Sequence, residues 1–289
     1  MATMRDIRRR IESVKNTQKI TKAMKMVASA KLRRIQNRML SMRPYAQHIN
    51  EMVKRYAGEA IGDEHPLFEQ RTVRTCGILF FAAERGLCGA FNTNLLKKFD
   101  ETAAEDADAD TAVLVVGQKG LRYIRKQDIE LLNHYTDVYD AIEYPLAVDI
   151  AKAAVAHYVA GRIDTLQFVY SRFVNAAEQQ IVAEPILPFH CEELAQLNTG
   201  PLRKVYYYEP SFEDIAQPLL EEFLAARVYH ALLETASSEH AARTAAMDAA
   251  TENASDMIED LTLKLNKARQ TSITMELLDI VGGAETLRS

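Results

Sequence analysis

The stretch Leu219–Val281, LLEEFLAARVYHALLETASSEHAARTAAMDAATENASDMIEDLTLKLNKARQTSITMELLDIV, runs for 63 residues without a glycine or a proline. As one unbroken helix it would reach roughly 95 Å at 1.5 Å per residue, too long for the core of a small domain. It is therefore expected to be an exposed rod or half of a coiled coil. Leu232, Ala236, Glu239, Ala242, Ala246, Ala250, Asn253, Met257, Leu261, Leu265 and Ala268 recur in steps of three or four and trace its expected seam. Much of that seam is alanine, so a partner helix can approach closely while little apolar area is buried.

A second rod is expected at the other end. Met4 to about Ala57 is rich in Arg, Lys, Met, Ala, Gln and Ile, all fair helix formers or better, with Pro44 as the only breaker. Its seam reads Ile7, Ile11, Val14, Gln18, Thr21, Met24, Ala28, Leu32, Ile35, Met39 and Met42. Residues 1–43 carry 13 Lys and Arg against two acids, whereas residues 211–289 carry six against 14. Two helices of opposite charge at the two chain ends suggest an antiparallel coiled coil, with the middle of the chain folded as a head. Pro44 is expected to bend or reset the first helix.

The overall composition, 48% hydrophobic and 26% charged, suits a folded protein of one or two domains. No apolar run is long enough to cross a membrane, and residues 1–10 lack the apolar core of a signal peptide, so neither feature is expected. Cys76, Cys88 and Cys191 show no CxxC spacing, and the seven histidines form no ligand motif.

Between the rods, Thr75–Ala83 and Ala112–Gly117 read as buried strands, with Thr165–Ser171, Gln180–Leu187 and Lys204–Tyr208 as later ones. Pro185 points to an edge position for the fourth of these. Helices are expected at Asn92–Ala104, Gln118–Lys126 and Pro145–Ala160. The fold class is thus α/β: a long antiparallel coiled coil of residues 1–58 and 211–289, with a Rossmann-like α/β domain of residues 74–209 inserted.

Chemistry is sparsely signalled. Gly117-Gln118-Lys119-Gly120 follows a strand, but GxxG matches neither common phosphate-binding glycine motif. Gly86-Leu87-Cys88-Gly89-Ala90 could hold an anion at a helix start, or be a tight loop fixed by two glycines. Cys88 has no histidine nearby in sequence to serve as a base. The basic first helix suits an acidic protein partner. Nucleic acid fits less well, because no stacking aromatics are interleaved before Tyr45. A coiled-coil adaptor or nucleic-acid scaffold remains the alternative reading.

Three separated segments resemble one family. Residues 11–28, IESVKNTQKITKAMKMVA, residues 85–89, RGLCG, and residues 267–284, KARQTSITMELLDIVGGA, are similar in order and spacing to the gamma chain of bacterial F-type ATP synthases. Glu84 departs from that pattern, standing where an aspartate commonly precedes RGLCG, and Ala90 stands where many members have a second glycine.

The resemblance implies a non-catalytic rotor shaft that couples ion flow to the catalytic sites on beta subunits. Partners implied are the alpha and beta subunits, the epsilon subunit and the c-subunit ring, with no nucleic acid and no cofactor or metal. Membrane contact would come only through the c ring, on the cytoplasmic side of the plasma membrane. Lys15, Lys19, Lys22, Met24, Lys25, Arg269, Gln270 and Thr274 are expected to meet beta. Arg85, Gly86, Leu87, Cys88 and Gly89, together with Tyr208 and Glu209, are expected to face epsilon and the c ring.

Overall fold

The computed structural model describes residues 3–59, 65–105, 109–189 and 212–286. The expected strand Lys204–Tyr208, with Glu209 beyond it, lies outside those residues. The chain divides into two compact units, Met1–Ala28 with Arg243–Ser289, and Ser29–Ala242. Helix α1, Met4–Glu59, and the last helix, α5, Phe212–Thr286, each contribute to both.

In the smaller unit α1 opens on a reciprocal cap. Thr3 N–H donates to the Asp6 carboxylate, and Asp6 N–H to the Thr3 hydroxyl, satisfying donors that a helix start leaves open. The two helices then run antiparallel. Gln18 meets Ser255 at 2.6 Å, Thr21 meets Thr251 at 2.7 Å, and Lys25 meets Asp248 at 2.5 Å. Ile7, Ile11, Val14, Gln18, Thr21, Met24 and Ala28 are all buried or half-buried, as their spacing suggests.

The facing helix departs from expectation by one position. Met247 and Ala254 are buried and Thr251 and Ile258 half-buried, whereas Met257 is 53% exposed. Two paths of three- and four-residue steps reach Leu261, and they differ by one residue, a rotation of about 100°. The occupied path buries the larger Met247 and Ile258 and lets Thr251 meet Thr21. Met257 therefore belongs to the outer face.

The larger unit is built on a five-stranded sheet. β1 (Thr75–Phe81), β2 (Asp110–Val116), β3 (Glu130–Tyr135), β4 (Thr165–Phe173) and β5 (Gln179–Leu187) lie in the order β3-β2-β1-β4-β5. All pairings are parallel except β4 with β5, which is antiparallel and at the edge. α2 (Phe91–Ala103), α3 (Gln118–Ile124) and α4 (Tyr144–Val159) join the strands. Strand alternation sends Leu79, Phe81, Leu114 and Phe168 into one core, with α4 and parts of α1 and α5. Ile78, Phe80, Val113 and Val115 fill the other, with Leu95 and Phe99 of α2. Just past β5, Phe189 N–H donates to Leu67 C=O, ahead of β1, at 2.8 Å.

Both long helices exceed their expected limits. Pro44 lies inside α1, and Pro218, Gly282 and Gly283 lie inside α5. Pro44 removes one backbone donor, but the adjoining turn is held by side chains. Tyr45 and Tyr144 both donate to the same Glu222 oxygen, and their rings pack edge to face at 5.9 Å.

Around Ser171, α5 grips the sheet through polar groups. Ser171 N–H donates to Thr235 Oγ1 and Ser238 Oγ donates to Ser171 C=O. Ser237 Oγ donates to Met39 Sδ of α1 instead, and together these bonds explain three fully buried small polar residues, Thr235, Ser237 and Ser238.

Candidate partner-binding surfaces

On the smaller unit, Lys15, Lys19 and Lys22 are exposed along one stripe of α1, beside the seam. Met24 and Lys25 are different. Met24 is half-buried in the seam, and Lys25 is ion-paired with Asp248 of the same chain. Both therefore serve the helix pair, and only part of each side chain faces outward.

Arg269, Gln270 and Thr274 are exposed on α5, and the Thr274 hydroxyl bonds back to Gln270 C=O at 2.9 Å. At the register of the three cross-helix pairs, Met4 falls opposite the turn holding Arg269. Beyond that turn α5 has no described part of α1 beside it. Ile273, Met275, Leu277, Leu278 and Ile280 are all at least 50% exposed there. Ile273, Leu277 and Ile280 share one face of the helix, and an exposed apolar face of this kind calls for a partner.

The Arg85–Gly89 loop of the larger unit is tightly organised. Leu87 and Gly89 both take positive φ, 62° and 59°. Leu87 is 65% exposed while Cys88 is 2% exposed, packed with Ala83, Phe91 and Ala242. Asn92 Nδ2 donates to Cys88 Sγ at 3.2 Å, so the thiol is enclosed and not presented. Arg85 reaches Asp140 at 3.1 Å, and Lys31 of α1 reaches the other oxygen of that carboxylate at 3.0 Å. The Lys31 ammonium, with help from Arg85, holds the Asp140 carboxyl below its usual range.

Glu84 resolves two of the motifs at once. Its carboxylate accepts from the backbone N–H of Gln118, at the start of α3, and from that of Val138. The anion position at the start of α3 is thus taken by the protein's own side chain. The two glycines serve packing. A Cβ at Gly117, where φ is 97°, would stand 2.1 Å from Ala82 O, and one at Gly120 would stand 2.7 Å from the Ala82 methyl. The departure at Glu84 provides a carboxylate that spans two backbone donors.

Tyr208 and Glu209 lie outside the described residues. Among the described residues, no helix is long and apolar enough to cross a membrane. Sequence reasoning missed two features: Asp140 as the joint between Lys31 and Arg85, and the exposed apolar end of α5. The second was discoverable, because Ile273, Leu277 and Ile280 recur at helical spacing beyond Ala268, the last position of the expected seam.

The sequence model of the ATP synthase family matches residues 3–287. The ATP synthase gamma chain of Nitratidesulfovibrio vulgaris Hildenborough is 43% identical over all of both chains, and that of Moorella thermoacetica 40% identical over all of both. Among solved structures, a chain from the central stalk and c ring of the Tetrahymena thermophila mitochondrial ATP synthase is 26% identical. It has a TM-score of 0.62, with 80% of this chain and 99% of that one covered. A chain from the Euglena gracilis mitochondrial ATP synthase shares the fold at 23% identity, with a TM-score of 0.68 over 98% of this chain and 94% of the other. The chain belongs to the ATP synthase gamma chain family.

Proposed function

We propose that the chain, a non-catalytic rotor subunit of the central stalk by family, transmits torque through a one-sided two-helix shaft. The observation that carries this is the asymmetry of the smaller unit. Lysines line one stripe of α1, and α5 exposes Ile273, Leu277 and Ile280 on one of its faces. A shaft differing from face to face presents each catalytic site around it with a different surface at any angle. Rotation then becomes a sequence of conformations in those sites.

The partners of this reading are the alpha and beta subunits around the helix pair, with epsilon and the c ring at the opposite end. Lys15, Lys19 and Lys22 suit acidic loops of beta, through exposed charges that attract at long range and hold weakly, about 0–1 kcal/mol per pair. Such contacts favour sliding over locking. Arg269 offers a planar fork of donors to a carboxylate, with Gln270 and Thr274 adding adaptable hydrogen bonds.

The Arg85–Gly89 loop is held by Asp140 and packs on Ala242 within the larger unit. With Tyr208 and Glu209, it is the surface this reading gives to epsilon and the c ring. The location proposed is the cytoplasmic face of a bacterial plasma membrane, with attachment through the c ring.

Co-purification tests the reading. The tagged chain is expected to bring down alpha, beta and epsilon subunits with ATPase activity. Recovery of the chain alone, under conditions where alpha and beta are expressed and folded, would overturn it.

A further inference from the structure

Within the larger unit, α1, the β4–β5 side of the sheet and α5 enclose a cavity of about 360 Å³ that the rotor role does not use. Its volume falls in the range of small-molecule sites, roughly 300–1,000 Å³. Met42, Phe168, Phe223 and Leu233 give it an apolar floor.

Its rim is charged, and the two carboxylates there are already engaged by the protein. Glu184 takes Arg227 at 2.5 Å, with Arg172 at 3.8 Å and the Tyr170 hydroxyl at 3.0 Å. Glu234 accepts the backbone N–H of Phe173, with His230 Nε2 3.4 Å from its other oxygen. Burial, and then Arg227, push the His230 imidazole below its ordinary range, so it is neutral near pH 7.

Three arginines therefore face two carboxylates. Arg43, contributed by α1, is exposed and makes no ion pair among the described residues. It is close enough for its charge to act on both His230 and Glu234. Gln47 and Asn50, one and two turns further along α1, add neutral polar groups to the same wall.

We propose that this cavity binds an anionic amphiphile, a monocarboxylate with an apolar tail of medium length. Its carboxylate pairs with Arg43 and its tail lies on Met42, Phe168 and Phe223. The excess of positive charge disfavours a cation. A nucleotide would need several phosphate donors, whereas the cavity offers one uncommitted arginine above an apolar floor. A single negative charge on a hydrocarbon body satisfies both features. The inference stands apart from the rotor assignment and shares no residue with the surfaces given above to the partner subunits.

The test is calorimetric titration of the full-length chain with decanoate, below the concentration at which it forms micelles. One saturable site is expected. R43Q should weaken it at least about tenfold, as loss of a charge-assisted contact does, and decanol should bind the unaltered chain about tenfold more weakly than decanoate. A46W, which places a bulky ring in the cavity from a half-buried position on α1, should abolish binding while thermal unfolding stays within a few degrees of the parent. Non-saturable uptake, equal affinity for decanol and decanoate, or unchanged binding in A46W overturns the proposal. Binding of decyl phosphate in place of decanoate overturns the carboxylate class.

Discussion

The hydroxyls of Thr21 and Thr251 lie 2.7 Å apart across the helix pair, each also within reach of a carbonyl of its own helix, Gln18 C=O and Met247 C=O, so one donates across the pair to the other, which donates to its own carbonyl. They sit between the Gln18–Ser255 and Lys25–Asp248 contacts, forming a ladder of polar rungs among alanines. Axial register is therefore fixed by directional bonds more than by interlocking apolar side chains. Thr21→Val removes one rung and leaves the Thr251 hydroxyl bonded to Met247 C=O. It is expected to cost the full chain about 1 kcal/mol, read by urea unfolding.

Arg269 carries no fold-stabilising contact among the described residues, being exposed on α5. Arg269→Ala should leave the unfolding midpoint of the chain unchanged and reduce ATP turnover, or its coupling to ion pumping, in reconstituted vesicles. Equal turnover and equal pumping would remove it from the beta contact.

Asp140 joins Lys31 to Arg85, and its folded-state pKa is depressed by them. The sign follows: its contribution is fully present above its unfolded value of about 3.8 and is lost as pH falls through the lower folded value. Because the group is largely exposed, the effect on global stability is small. Asp140→Asn should barely move the midpoint at neutral pH and should flatten the acid limb of the stability profile. Hydrogen exchange at the amide of Leu87 should rise in the same variant.

Gly117 is set by geometry. Gly117→Ala places a methyl 2.1 Å from Ala82 O at a φ of 97°, combining backbone strain with overlap against main chain that cannot move aside. A loss of about 3 kcal/mol or more is expected, seen as a fall in the thermal midpoint.

The sequence revealed the two long helices and most of the sheet because these rest on local periodicity. The α1 seam was legible residue by residue, since Ile7, Ile11, Val14, Leu32 and Ile35 leave one path for the apolar stripe. The α5 seam was not, because alanines on neighbouring positions make two paths nearly equal, and the choice was made by Thr21 on the other helix. β3 was missed because ELLNHY mixes polar and apolar residues. The structure accounts for Asn133 through a 2.6 Å contact with His157.

The surfaces were only partly legible. Lys15, Lys19 and Lys22 are displayed as their spacing suggests, whereas Lys25 is engaged by Asp248, a residue more than two hundred positions away. The role of Glu84 was hidden for the same reason, since Gln118 and Val138 reach it only through the fold.

The bond from Phe189 N–H to Leu67 C=O ties the residue just past β5 to the segment that leads into β1. Its consequence is coupling: the edge strand cannot peel away without also releasing the entry to the central one, so the two are expected to open together.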